Sequence, residues 1–174
     1  MPAFDPQPRL VGDLLELRPL RESDWPALYG VASDPLIWEQ HPASDRWKEP
    51  VFRKFFEDAI KSGGALVAVE RASGRIIGSS RFHAVAEPGE IEIGWTFLAR
   101  RCWGGRYNGE MKRLMLTHVF RDFERVAFLI GETNTRSQKA IERIGAVKRS
   151  TLEPRPGGPN VRSFKYVLER PKGA

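Results

Sequence analysis

The stretch that decides the fold runs from Ile91 to Phe120 and reads IEIGWTFL (91–98), ARRCWGGRYN (99–108) and GEMKRLMLTHVF (109–120). The first segment alternates as a β-strand does, and the last has apolar residues at helical spacing. The free N–H groups and the dipole of a helix's first turn bind anions, and Arg100, Arg101 and Arg106 add positive charge there. Three cations at one helix start repel one another unless an anion lies between them. The turn therefore predicts a phosphate site.

The rest of the chain predicts a mixed α/β fold with a largely antiparallel sheet and one strand-helix-strand crossover. We expect about seven strands and about four helices in one domain over residues 1–174, with residues 1–12 loosely ordered. Ser23-Asp24 offers the N-cap of the first helix, and Gly63-Gly64 ends the second. The other expected helices span 47–61, 109–122 and 135–144, and the strands span 14–20, 65–70, 75–85, 90–98, 126–131, 146–152 and 161–168.

Composition limits the alternatives. A chain of 174 residues with 41% hydrophobic content can bury one substantial core, so a second domain is not expected. The single cysteine, Cys102, forbids an intramolecular disulfide, and the polar N-terminus does not read as a signal peptide. Both features favour a cytoplasmic protein. The net charge of +6 is scattered along the chain, so it gives only weak support for a nucleic-acid partner.

Six segments of this chain resemble the GNAT superfamily of acetyl-CoA-dependent N-acyltransferases, in particular its ribosomal-protein N-terminal (RimJ/RimL-like) branch. The resemblance implies that acetyl-CoA lies in a splayed opening between strands 90–98 and 126–131. It also implies direct acetyl transfer in a ternary complex, to a protein N-terminus or a small amine such as an antibiotic or polyamine. A homodimer through an exposed final strand is a further possibility. The segments are LLELRPLRESDWPAL (14–28), IIGSSRF (76–82), EIEIGWTF (90–97), WGGRYNGEMKRLML (103–116), NTRSQKAIERIGA (134–146) and SFKYVL (163–168).

The phosphate turn departs from the family pattern, which usually reads Q/R-x-x-G-x-G/A. Arg106 stands at the first glycine position and Asn108 at the second small position. Gly104 and Gly105 can supply positive φ upstream, because glycine adopts it without steric cost. The alternative is a glycine-rich turn that caps the helix and binds no ligand. The expected cofactor contacts are Trp95, Thr96, Phe97, Leu98, Arg101, Trp103, Gly104, Gly105, Arg106, Tyr107 and Asn108.

Glu92 is the candidate general base. Strand alternation places Glu90, Glu92, Gly94 and Thr96 on one face, and Ile91, Ile93, Trp95 and Phe97 on the other, core-facing side. In the family, the acid two residues before this strand's glycine often faces the acceptor, and Glu92 matches it. An ammonium group must lose a proton before it attacks a thioester, which a carboxylate can assist. The alternative is a solvated charge on an exposed strand face.

Asn134 and Ser137 are the candidates on the last helix. Ser137 shares an apolar stripe with Ala140, Ile141 and Ile144. Many family members have a tyrosine at the position of Ile141, which protonates the departing thiolate. In the RimL-like branch the serine matching Ser137 does so, and the asparagine matching Asn134 holds the pantetheine arm. Alternatively, Asn134 is an N-cap and Ser137 bonds back to a carbonyl.

The other conspicuous residues receive structural roles. His118 lies on the apolar stripe of its helix, and Cys102 and Tyr166 are expected to be structural. His41 and His83 have no Cys or His partner at metal spacing, so no metal is expected. Glu153 is the second-choice base. The first two helices and the loop PRPGGPN (154–160) are expected to select the acceptor, and a CoA-binding regulator without turnover is the alternative function.

Overall fold

The computed structural model describes residues 3–154 and 159–172. These residues form four helices and eight strands, with short 3₁₀ turns between them. The strands are β1 Leu10–Val11, β2 Leu15–Pro19, β3 Ala65–Glu70, β4 Ile76–Ala84, β5 Glu90–Leu98, β6 Arg125–Gly131, β7 Val147–Leu152 and β8 Ser163–Glu169; the helices are α1 Trp25–Ala32, α2 Glu49–Ser62, α3 Arg106–Val119 and α4 Thr135–Arg143.

The strands build one sheet in the order β1-β2-β3-β4-β5-β6-β8-β7. Only the β5–β6 pair is parallel, and α3 makes the crossover between these two strands. The predicted mixed fold with a largely antiparallel sheet and four helices is confirmed, with β1 as an additional strand.

The sheet opens between β5 and β6. The two strands pair only at Glu90, Ile91 and Glu92, which lie opposite Arg125, Val126 and Ala127. Beyond this point β6 continues to pair with β8 along its whole length, from Arg125 to Gly131, whereas β5 diverges. The predicted splay between 90–98 and 126–131 is therefore present, and it leaves a wedge-shaped gap in the middle of the sheet.

A β-bulge in β5 accompanies this divergence. Arg81 of β4 pairs with Gly94 and Ser79 pairs with Phe97, so Trp95 and Thr96 together lie opposite Ser80. Trp95 has a φ of 52°, and within the described ranges it is the only non-glycine residue with a positive φ. The extra residue shifts the two-residue alternation of side chains by one position.

The bulge corrects the expected faces of β5. Ile91 and Ile93 pack in the core beside α3, as expected, but Phe97 packs on the opposite side against Phe52 and Phe55 of α2. Trp95 also packs with this second core. The expectation that all four residues share one face was wrong, because the pattern of residue types does not reveal an inserted residue in a strand.

Two apolar cores therefore cover the two sides of the sheet. The first joins α3 and α4 to the sheet, with Met111, Met115 and Ile141 facing Phe128 and Ile77. The second joins α1 and α2 to the sheet, through the residues Leu28, Phe52, Phe55, Phe56, Ala59 and Phe97. Gly63, with a φ of 63°, ends α2 in the left-handed conformation that the sequence predicted.

Several expectations about the ends of elements need correction. Residues 1–12 were expected to be loosely ordered, but Leu10 and Val11 form β1, and Phe4 packs edge-on against Phe82 and Phe123. The final strand, β8, lies between β6 and β7, so it is not the exposed edge that a dimer was expected to use.

Within the described ranges, no helix has the length and apolar character needed to cross a membrane.

Candidate active site

The gap between β5 and β6 is the inner end of a cavity of about 630 Å³. It is lined by both strands, the start of α3, one face of α4, and the loop that precedes α2. Most of the residues predicted for the site meet here: Glu92, Trp95, Thr96, Phe97, Leu98, Trp103, Gly104, Gly105, Asn108, Asn134 and Ser137. Arg101, Arg106 and Tyr107 lie outside the lining, which differs from expectation.

The turn before α3 offers backbone donors to this cavity. Gly104 and Gly105 have φ values of 102° and 103°, so glycine supplies the unusual backbone upstream of Arg106, as predicted. A Cβ at either position would meet no atom within 4 Å. The helix begins at Arg106, three residues before the expected start, and its first intrahelical bond runs from Gly109 N–H to Gly105. In the described part of the chain, the N–H groups of residues 104–108 make no hydrogen bond, so they are available to an anion.

The phosphate prediction assumed that all three arginines near this turn lack an anionic partner. Two of them have one in the structure. Arg100 pairs with Asp34. Arg101 Nη1 lies 2.8 Å from Glu70 Oε1, and the Tyr107 hydroxyl donates to the same oxygen at 2.7 Å. The hydrogen bond from Arg101, with those from Ser73 and Tyr107, lowers the pKa of Glu70 to about 2. Arg101 and Tyr107 therefore tie the turn to the end of β3.

Positive charge reaches the cavity from α4 instead. The guanidinium carbon of Arg136 lies 4.0 Å from the ring centroid of Trp103, and both residues line the cavity. Arg143, at the last turn of α4, also lines it and is exposed. Among the residues the structure describes, no carboxylate forms an ion pair with Arg143 or with Arg106.

The first turn of α4 carries the two predicted polar residues. Asn134 is buried at the N-cap, and its side-chain oxygen accepts a hydrogen bond from the Ser137 N–H at 3.2 Å. Ser137 is half-buried and lines the cavity. The structure contains no hydrogen bond from its hydroxyl to a backbone carbonyl within the described ranges, so the alternative that Ser137 bonds back to the helix gains no support. Ile141, where the family often has tyrosine, is buried in the first core.

Glu92 is the last residue of β5 that pairs with β6, where it lies opposite Ala127, and it is 6% exposed. Its side chain passes over Gly94, where an added Cβ would stand 3.1 Å from Oε1. Its charge raises the pKa of Arg81 on β4, although burial has the larger effect and lowers that pKa overall. Glu92 is therefore not a solvated surface carboxylate. Glu153, the second candidate base, lines the same cavity.

Lys112 is a site residue that the sequence argument missed. It lies on the second turn of α3, is 3% exposed, and lines the inner end of the cavity. Its Nζ donates to Thr96 Oγ1 at 2.7 Å, and burial lowers its pKa to about 7. The signal was available, because Lys112, Met115 and Val119 follow spacings of 3 and 4 on the buried side of the helix.

A second missed group lies at the other end of the cavity. Trp38, His41 and Arg46 come from the loop before α2 and line the cavity beside Glu92. Burial, with a smaller contribution from the charge of Arg46, lowers the pKa of His41 to about 3, so its ring is neutral at physiological pH. Neither the spacing of these residues nor a motif marks them, since they come together only through the fold.

Three other residues have the buried, bonded surroundings of structural residues, as expected. His118 Nε2 lies 2.7 Å from the carbonyl oxygen of Asp5, and its ring packs against Phe4. Cys102 is fully buried, and this burial raises the pKa of its thiol. Tyr166 is 2% exposed and its hydroxyl donates to Glu142. The loop at 154–160 was expected to help select the acceptor, and its residues 155–158 lie outside the described residues.

Comparison with known proteins agrees with this geometry. A family model described as an acetyltransferase (GNAT) domain matches residues 15–147. An acetyltransferase of the GNAT family from Bacillus anthracis has 19% sequence identity and a TM-score of 0.76, with 92% of this chain and 98% of that chain covered. No curated protein matches the chain by sequence.

Two similar structures contain CoA compounds. Mycobacterium smegmatis RimJ, in complex with CoA-disulfide, has 18% identity and a TM-score of 0.66, covering 89% of this chain and 81% of its own. Spermidine N-acetyltransferase from Vibrio cholerae, in complex with CoA and spermine, has 13% identity and a TM-score of 0.69, covering 91% and 96%. At these identities the likeness is one of fold.

Proposed function

Because the chain belongs to the GNAT acetyltransferase family and is an acetyl-CoA-dependent N-acetyltransferase, we propose that the splay between β5 and β6 is its active site, where a primary amine receives the acetyl group directly. One observation carries this proposal. A single cavity joins the free N–H groups at the start of α3 to the buried carboxylate of Glu92, with the open main-chain edge of β5 between them. A cofactor and an amine can therefore approach each other from its two ends.

The residues at the α3 end fit the phosphates of acetyl-CoA. The N–H groups of 104–108 make no hydrogen bond and lie at the start of α3, where the helix dipole favours an anion. Gly104 and Gly105 leave open space where a Cβ would stand. Arg143 lines the cavity, and Arg106 lies outside the lining at the first residue of α3; neither forms an ion pair with a described carboxylate, so both can supply positive charge. In this proposal Arg101 and Tyr107 shape the turn through Glu70 and do not bind the phosphates themselves.

Glu92 and β5 fit the chemistry of transfer. Acetyl-CoA supplies an activated acetyl thioester. Glu92 takes a proton from the acceptor ammonium, directly or through water, since its carboxylate lines the cavity on the acceptor side. Beyond Glu92 the edge of β5 that faces β6 has no strand partner, so backbone N–H groups between Trp95 and Leu98 can stabilise the oxyanion.

Ser137 and Asn134 act at the thiol end. The Ser137 hydroxyl lines the cavity and can donate a proton to the departing thiolate, which Ile141 cannot do. Asn134 is committed to capping α4 through its side-chain oxygen, so its amide NH₂ remains to hold the pantetheine arm. Both roles follow from the RimL-like resemblance and stay proposals.

The acceptor is a protein N-terminus or a small amine. Likeness to the RimJ structure supports the first, and likeness to the spermidine N-acetyltransferase supports the second. The alternative of a CoA-binding regulator rested on Arg106 and Asn108 in place of small residues and on Ile141 in place of the family's tyrosine. The positive φ values occur at Gly104 and Gly105, so the turn does not require glycine at position 106. We further propose that the protein acts in the cytoplasm.

Replacing Glu92 tests the catalytic half of this proposal. Glu92→Gln should lower kcat by roughly 10²- to 10⁴-fold and leave acetyl-CoA affinity nearly unchanged, because general bases typically contribute that much. Initial rates across pH 6–10 measure it, with Glu87→Gln, an exposed glutamate in the turn before β5, as the matched control. A Glu92→Gln enzyme with the full rate would move the role to Glu153 or to solvent.

Replacing the two arginines tests the phosphate site. Arg106→Ala should weaken acetyl-CoA binding by roughly tenfold, since a charge-assisted contact contributes about 1.5 to 3 kcal/mol. Arg101→Ala should change the affinity less and lower the melting temperature more, because Arg101 pairs with Glu70. Isothermal calorimetry and thermal unfolding separate the two effects. Equal affinities for wild type and Arg106→Ala would show that this side chain does not contact the phosphates.

A further inference from the structure

The acceptor end of the cavity contains positive charge on a half-buried arginine, Arg46. Arg46 lines the cavity, and its guanidinium carbon lies 5.2 Å from the ring centroid of Trp38 and 4.7 Å from that of Phe55. No ion pair joins Arg46 to a carboxylate in the described chain. Burial, reinforced by the charge of Arg81, lowers the pKa of Arg46 to about 10, and the nearby charge of Asp45 only partly opposes this.

His41 does not complete the coordination of Arg46. Arg46 Nη1 lies 3.3 Å from His41 Nε2, while the Ala43 N–H donates to His41 Nδ1 at 2.9 Å. A neutral imidazole has one acceptor nitrogen. His41 therefore offers Arg46 one contact from a neutral ring and no opposite charge, and this contact uses only one of the five N–H donors of the guanidinium.

Arg81 is a buried cation that lies close to Arg46 but outside the cavity lining. It is 6% exposed, and its Nε and Nη2 atoms have no hydrogen-bond partner in the described chain. Its guanidinium carbon lies 4.5 Å from the ring centroid of Trp95 and 5.6 Å from that of Phe55, the ring that Arg46 also contacts. Asp58 and Glu92 are the carboxylates whose charges raise its pKa.

An acceptor with only positive charges would fit this end poorly. A polyamine would bring a second ammonium group into a cavity lined by the Arg46 guanidinium, with the Arg81 guanidinium close by outside the lining, and these like charges repel one another. A carboxylate on the acceptor would offset the charge and accept the free donors of Arg46, which binds such groups in a planar, two-point geometry. Glu92, on the same wall, would still face the amine.

On this basis, and resting on the proposed N-acetyltransferase function, we propose that the acceptor is a primary amine that also carries a carboxylate, and that Arg46 binds that carboxylate. The source of the group is either a free amino acid or a peptide whose first residue is acidic. Both carry an amine and a carboxylate in one molecule, and Glu92 and Arg46 line one cavity.

Matched acceptors test the proposal at saturating acetyl-CoA. We expect the KM for 4-aminobutyrate to be at least tenfold below that for 4-aminobutanamide, or a pentapeptide beginning with aspartate to exceed its asparagine counterpart by the same factor. A difference within the first pair identifies a free amino acid as the acceptor, and a difference within the second pair identifies a peptide with an acidic first residue. Equal KM values for acid and amide in both arms, or spermidine as a better acceptor than every carboxylate-bearing amine, would overturn the proposal.

Variants of Arg46 test the residue. Arg46→Met should raise the KM for the preferred acid at least tenfold and remove its advantage over the amide, and Arg46→Lys should restore part of that advantage. Arg121→Met, at an exposed arginine after α3 that lies outside the cavity, is the control. Thermal unfolding checks that the variants fold.

A binding measurement separates this proposal from the proposed activity. If no amine is acetylated, calorimetry of 4-aminobutyrate and of the aspartate peptide in the presence of CoA decides the matter. Binding that is lost in Arg46→Met would uphold the carboxylate site while refuting transfer. Absence of binding by both acids would refute the carboxylate site itself.

Discussion

Lys112→Met should stabilise the protein, and by an amount that depends on pH. Lys112 is 3% exposed, and burial alone lowers its pKa from 10.5 to about 7. Between these two values the unfolded chain carries a proton at this site and the folded chain does not. The free energy of unfolding therefore rises with pH through this window, because the unfolded state binds more protons.

The magnitude follows from the shift. One pKa unit corresponds to about 1.4 kcal/mol, so charged Lys112 destabilises the fold by roughly 3 to 5 kcal/mol at and below pH 7. Methionine has a similar length and fills the same space without a charge. Thr96 loses the lysine as a donor but keeps its hydrogen bond with Ser80 at 2.7 Å. The advantage of Lys112→Met should thus be largest below pH 7 and fall by roughly 2 kcal/mol between pH 7 and pH 9.

Urea unfolding monitored by circular dichroism at pH 6, 7, 8 and 9 measures this difference. Lys139→Met is the matched control, since Lys139 is an exposed lysine on α4 and makes no ion pair in the described chain. Its effect should vary little across the same pH range. A constant difference between Lys112→Met and wild type from pH 6 to pH 9 would refute the reasoning, since it would mean that Lys112 does not change protonation on folding in this range.

Three further variants have distinct expected outcomes. Ser137→Ala should reduce kcat by roughly 10- to 100-fold with a nearly constant acetyl-CoA KM; if only the melting temperature falls, the hydroxyl is structural. Asn134→Ala should raise that KM and lower stability by about 1 kcal/mol, because it removes the α4 N-cap seen in the structure. Glu70→Gln should destabilise the protein at neutral pH, and its melting temperature should converge with that of wild type as pH falls from about 4.5 to about 2, where Glu70 becomes protonated in both states. A gap of the same size at pH 7 and pH 3 would contradict the role of Glu70 as a charged anchor.

Patterns local in sequence predicted most of the fold. The strand at 90–98, the helix at 135–144 and the glycine at the end of α2 each depend on residues close in sequence, and the structure contains these three elements, although a bulge breaks the alternation of the strand. The splay between β5 and β6 followed from the resemblance. The start of α3 was placed three residues late, since Arg106 and Asn108 were assigned to the turn when the helix already includes them.

The electrostatics could not be predicted from these patterns. Arg100 and Arg101 were grouped because they are neighbours in sequence, but their partners Asp34 and Glu70 lie 66 and 31 positions away. A pairing between distant residues leaves no mark at either position. For the same reason the sequence did not show that Arg46 and Arg81 contact the same ring, Phe55.

The bulge in β5 connects the fold to the site. Without the extra residue, Thr96 would continue the face of Glu92, and Phe97 would continue the face of Ile93. With it, Thr96 faces α3 and bonds Lys112, while Phe97 completes the core under α2 beside Phe55. The bulge at Trp95 and Thr96 lies where β5 has already left β6. The N–H groups on this unpaired edge of β5 therefore border the cavity.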